Sequence, residues 1–167
     1  RAQFSDELNV RLGARSLRAF EDFGRRPGWE IDLAQVGYLF LLCTPEQVEQ
    51  FTAGVALQNR LGVPSRLLTP DEAAELCPLA GTEGLLAAAW SPTDGHCTPE
   101  AVVQGYAAGA RAHGGRVLTR TEVTGIDVRG GRIRAVRTTA GDIATSCVVC
   151  CAGAWSTQVG AMAGVSL

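Results

Sequence analysis

Three times the chain writes Thr-Pro followed by acid: Thr44-Pro45-Glu46-Gln47, Thr69-Pro70-Asp71-Glu72 and Thr98-Pro99-Glu100-Ala101. Each places a hydroxyl where it can cap a helix, a proline where no backbone N–H is needed, and an acid in the first turn against the macrodipole. The first two also carry Gln or Glu at the third helical position, which completes a capping box. Three helix starts are thereby fixed in a chain of 167 residues. The first helix is predicted to run to about Leu61, with Val48, Phe51 and Val55 on one face and Gly62 as its stop. The second is short because Pro78 follows Cys77, and the third runs from Pro99 to about His113, before Gly114-Gly115. A further helix, roughly Asp6 to Phe23, is expected to turn Leu8, Leu12, Phe20 and Phe23 inward and Arg11, Arg15 and Arg18 outward.

Strands fill the intervals. Gly37 to Leu42 and Leu85 to Trp90 are apolar runs. After the third capped helix come Arg116 to Leu118, Glu122 to Val128, Arg132 to Thr138 and Asp142 to Thr145, with Gly130-Gly131 as a hairpin turn. Cys147 to Cys151, CVVCC, is apolar without alternation, which suits a strand covered on both faces in a parallel sheet. The order predicts an α/β fold with an α+β component: a mixed sheet with flanking helices, then a small antiparallel meander.

The formal net charge is −2 and 46% of residues are hydrophobic. With the arginines scattered, nucleic acid and anionic membrane are poor partners. No apolar run reaches the roughly 20 residues of a spanning helix, and no signal-peptide core follows Arg1 to Asp6, so a cytoplasmic location is the default expectation. Six cysteines in a long, core-rich chain read as reduced thiols. The opening lacks Met and is read as that of an interior segment.

Four runs share one order and spacing with a known family. They are Asp94-Gly95-His96-Cys97-Thr98-Pro99-Glu100, Ala107 to Gly115, Thr121-Glu122-Val123-Thr124-Gly125-Ile126, and Val148-Val149-Cys150-Cys151-Ala152-Gly153-Ala154-Trp155-Ser156. Together with Gly37 to Leu41 and Leu68 to Pro78, they resemble FAD-dependent amine oxidoreductases of the D-amino-acid oxidase, glycine oxidase and sarcosine oxidase type. Ala161 to Leu167 is similar to the sarcosine oxidase beta-subunit branch, where partner subunits would be implied. The resemblance implies a partial two-domain oxidase fold: residues 1–89 in the substrate-binding half, 90–156 in the FAD-binding half, and 157–167 returning toward the first. It implies FAD as cofactor, a small amine or N-methyl amino acid (sarcosine- or glycine-like) as substrate, and hydride transfer as the chemistry. Val123, Cys151, Ala152, Gly153, Ala154 and Trp155 are the implied cofactor contacts. The family's Gly-rich phosphate clamp and its catalytic residues match nothing in these 167 residues, so no catalytic residue is assigned and the segment alone is expected to be inactive.

Ala152-Gly153-Ala154 also reads as a strand-to-helix turn. Tyr38 is the best substrate-side candidate, or else a buried strand tyrosine. Asp94-Gly95 reads as a turn. Cys147-x-x-Cys150 has metal-motif spacing, but residues three apart on a strand face oppositely, and His96, Cys97 and His113 are split between a loop and a helix end, so no metal site is assigned. A stand-alone binding module derived from the same fold and an NAD(P)-linked oxidoreductase remain the rival classes.

Overall fold

The computed structural model describes residues 1–166 and divides into two compact units, one from Arg1 to Gly115 and a second beginning at Arg116. In the first, α1 (Glu7–Glu21) starts at Asp6, whose side chain accepts from the Asn9 N–H. Then come β1 (Tyr38–Leu42), α2 (Pro45–Arg60), β2 (Arg66–Leu68), α3 (Pro70–Leu76), β3 (Ala87–Ser91) and α4 (Pro99–Ala112). The capping boxes expected at Thr44 with Gln47 and at Thr69 with Glu72 are both formed. Thr98 departs from the expectation: its hydroxyl makes no cap but donates to Asp32 Oδ2 at 2.7 Å, drawing the start of α4 to the loop before β1.

The three strands make one sheet in the order β1-β3-β2, antiparallel throughout, so the expected mixture of helices and strands is present with an antiparallel rather than a mixed first sheet. Its central strand begins Ala87-Ala88-Ala89, and these small side chains let Leu68, Ala73 and Leu85 close on Ala88, with Leu39 and Trp90 against them. A second cluster joins Ala2, Val10 and Val63, flanked by Phe4, Ala14, Leu57 and Leu61.

That cluster corrects the N-terminal half of the predicted face of α1, whereas Phe23 is buried and Arg11, Arg15 and Arg18 are exposed as expected. Leu8 and Leu12 are 67% and 53% exposed, while Val10 is fully buried. The reason is steric. The helix packs on the backbone of residues 1–2, and at Gly13 an added Cβ would lie 2.9 Å from the Arg1 carbonyl oxygen. Small residues therefore face inward, and the large leucines are left outside.

In the second unit, β4 (Val123–Arg129), β5 (Arg132–Thr138) and β6 (Gly141–Ala144) form the expected meander. Gly130 and Gly131, both at positive φ, close its first hairpin as a two-residue turn. Gly153–Trp155 make one turn of 3₁₀ helix, continued by α5 (Ser156–Met162). Two predicted strands are absent. Arg116 to Leu118 is exposed and irregular, and Cys147 to Cys151 is unpaired, with Cys147, Cys150 and Cys151 all exposed. A strand exists only against a neighbour that takes its N–H and C=O groups, and no described residue does so for these segments. Leu167, the last residue of the Ala161 to Leu167 match, lies outside the described residues.

Candidate substrate and cofactor sites

Residues 1–4 belong to no helix or strand, yet Ala2 and Gln3 are 1% and 5% exposed. Side-chain hydrogen bonds take the place of a ladder. The Ala2 N–H donates to Asp94 Oδ1 (2.8 Å), Gln3 Nε2 donates to the Tyr38 carbonyl (2.9 Å), and Gln58 Nε2 donates to the Phe4 carbonyl (2.9 Å). The segment is thus tied to the turn after β3, to β1 and to α2.

These ties hold the Arg1 guanidinium over an aromatic bed. Its Cζ lies 5.3 Å from the Phe4 ring centroid, 5.4 Å from that of Tyr38 and 5.2 Å from that of Phe40. All three are within cation–π range. Phe51 extends the bed, its ring 5.0 Å from Phe40. Beside it opens a cleft of about 290 Å³ lined by Arg1, Gln3, Phe51 and Gln58 among others, with no Asp or Glu in its lining. Among the described residues Arg1 makes no ion pair. A guanidinium steadied on rings, with its fork free and no acid in the cleft, can receive a carboxylate through two parallel hydrogen bonds.

Tyr38, the substrate-side residue expected from sequence, is 40% exposed rather than buried, and its ring belongs to this bed. Sequence reading missed Arg1 and passed over Asp94 as half of an Asp-Gly turn. The available signal was composition: an Arg and a Gln bracket Ala2 just before Phe4, and no helix or strand pattern claims them.

In the second unit, Val123, Cys151 and Ala152 come together. With Ile126, Val136 and Val159 they line an apolar cavity of about 310 Å³. Gly153, Ala154 and Trp155 are not in that lining and lie on the exposed turn that follows, where Trp155 is 65% exposed. Gly153 has φ +57°, and a Cβ built there meets nothing within 4 Å. An apolar trough ending in small residues with open space over the backbone fits the edge of a large planar group such as a flavin nucleotide. Among the described residues no cluster of His, Cys, Asp or Glu could hold a metal ion.

Residues 1–167 match the family model described as FAD dependent oxidoreductase. Mitochondrial sarcosine dehydrogenase of Mus musculus is 34% identical over 152 residues, which cover 88% of this chain and 16% of that protein. The crystal structure of L-proline dehydrogenase from P. horikoshii superposes with a TM-score of 0.90 at 39% identity, covering 99% of this chain and 44% of that one. That of glycine oxidase from Geobacillus kaustophilus gives 0.80 at 28% identity, covering 99% and 46%. The chain therefore spans less than half the length of each of these relatives.

Proposed function

The chain belongs to the FAD dependent oxidoreductase family, and from that membership we propose that it serves an enzyme oxidising a small amino acid at the carbon beside its amine nitrogen. The substrate class is a secondary or N-methyl amino acid, sarcosine- or proline-like, or glycine. The names of the relatives support this reading, because sarcosine, proline and glycine share a carboxylate one carbon from an amine. The observation that carries it is the Arg1 guanidinium on its aromatic bed, with no acidic partner among the described residues.

Arg1 binds the substrate carboxylate from its aromatic bed, and the Phe4 and Phe51 rings that line the cleft exclude water from the apolar side of the bound molecule, which strengthens that ion pair. Fixing the carboxylate orients the C–H bond beside the nitrogen, from which the hydride leaves. FAD, when bound, supplies the acceptor for a hydride. With FAD bound, the substrate would lose that hydride to the flavin and its N–H proton to solvent, and the imine so formed would be hydrolysed by water. Val123, Cys151, Ala152, Gly153, Ala154 and Trp155 are assigned to cofactor contact, the cavity and the open backbone at Gly153 supporting the assignment. Functionally, residues 1–89 are assigned to the substrate half, 90–156 to the FAD half and 157–167 to the return toward the first, a division separate from that of the compact units.

Anaerobic mixing of the full-length, FAD-loaded protein with sarcosine, proline or glycine tests the reading. At least one should bleach the oxidised flavin band, and Arg1→Ala should raise the KM of that substrate. A lost charge-assisted hydrogen bond of about 1.5–3 kcal/mol corresponds to about 10- to 150-fold. A flavin that none of the three reduces would sink the proposal.

A further inference from the structure

Asp94 is completely buried, and among the described residues it has no cationic partner. Its Oδ1 accepts the Ala2 N–H at 2.8 Å, while Oδ2 has no hydrogen-bond partner. A buried carboxylate held by one backbone donor is costly, and a fold keeps such a group where it does something an apolar side chain could not. Asp94 is fixed from both sides: its own carbonyl accepts the Gly37 N–H at 2.7 Å, and at the next residue an added Cβ would strike the Ala34 carbonyl, so only glycine fits. Gly37 in turn leads directly into Tyr38, whose carbonyl holds Gln3. Asp94 thus grips the backbone one residue from Arg1 and, through Gly37, the strand that carries the Tyr38 and Phe40 rings.

From this geometry we infer that Asp94 is a positioning residue for substrate recognition: it clamps Ala2 so that the Arg1 guanidinium stays over its aromatic bed. The inference rests on the reading of Arg1 as carboxylate anchor and adds to it the group that sets the anchor in place. Asp94 itself touches no substrate. Its effect reaches only substrates that use Arg1, and it depends on the acceptor oxygen rather than on the negative charge.

The test uses the full-length, FAD-loaded protein with two substrates, sarcosine and its carboxylate-free analogue dimethylamine. Asp94→Ala should raise the KM for sarcosine about tenfold with little change in kcat, as expected when binding common to ground and transition states is lost, and should leave kcat/KM for dimethylamine unchanged. Asp94→Asn keeps the acceptor and should restore the wild-type KM. In an Arg1→Ala background, Asp94→Ala should add nothing further. Three results overturn the inference while leaving Arg1 as the anchor: an unchanged sarcosine KM in Asp94→Ala, an equal loss with both substrates, or additive effects in the double variant. Should Asp94→Ala not fold, Asp94→Asn decides alone, because a raised KM there would show that the charge rather than the acceptor matters. If Arg1→Ala itself leaves the sarcosine KM unchanged, the substrate reading fails, and the role of Asp94 falls with it.

Discussion

At Gly153 the backbone sits at φ +57°, a region where any side chain larger than hydrogen is strained whether or not a cofactor lies nearby. A substitution there would confuse backbone strain with cofactor collision. Ala152 separates the two, since it has φ −85°, is half-buried, and lines the apolar cavity with Val123 and Cys151. Ala152→Val adds two methyl groups to that lining. If the cavity receives part of FAD, overpacking of about 1–3 kcal/mol should weaken FAD binding about five- to a hundredfold. Titration followed by flavin fluorescence reads this directly, and an unchanged affinity would remove Ala152 from the cofactor contacts. The same scale shows why Asp94 was hard to read: Asp-Gly is turn grammar anywhere in a sequence, and only the arrival of Ala2, 92 positions away, turns the carboxylate into a clamp.

Helix starts were legible because a cap is a local contract among four residues. Thr69 accepts from the Glu72 N–H, and Glu72 accepts from the Thr69 N–H and hydroxyl. Thr69→Ala should therefore cost about 1 kcal/mol in urea unfolding. The Thr69 backbone N–H, followed by its hydroxyl, holds the Glu72 carboxyl below its ordinary value of 4.5. A lowered folded pKa contributes stability above the unfolded value, and that contribution is lost as pH falls through the folded one. Glu72→Gln keeps the box, as Gln47 does at α2, but has no proton to gain. The variant should accordingly be less stable than wild type above about pH 4.5 and converge with it in more acidic solution. A constant difference across the whole range would refute the link to Glu72. Thr98 shows the limit of local grammar, since a non-local acceptor, Asp32, takes its hydroxyl.

At the scale of the whole molecule the two units are unequally supplied with core. The first holds both apolar clusters, whereas in the second Ile126 is the one buried large apolar side chain among the described residues. Val149, Trp155 and Met162 remain exposed there. One fully buried large side chain is a small core for a unit of this size, and small units are marginal even with a full one. Residues 116–167 expressed alone should therefore show no cooperative thermal transition by circular dichroism. A sharp two-state melt would show that the meander is self-sufficient.

Near neighbours along the chain decide the two capping boxes and the Gly130-Gly131 hairpin, and these, with a motif order that places the chain in its family, were legible in the residues alone, whereas the irregular register of β4 on β5 was not. Hydrogen bonds between residues a few positions apart need no knowledge of the rest of the fold. Tertiary contacts alone settle which face of α1 is buried, whether CVVCC finds a ladder among the described residues, and where Arg1 and Asp94 are held. Those outcomes depend on which distant backbone arrives alongside. A leucine faces outward when a chain segment occupies the space it would have filled, and an apolar pentapeptide is a strand only where a neighbour takes its hydrogen bonds.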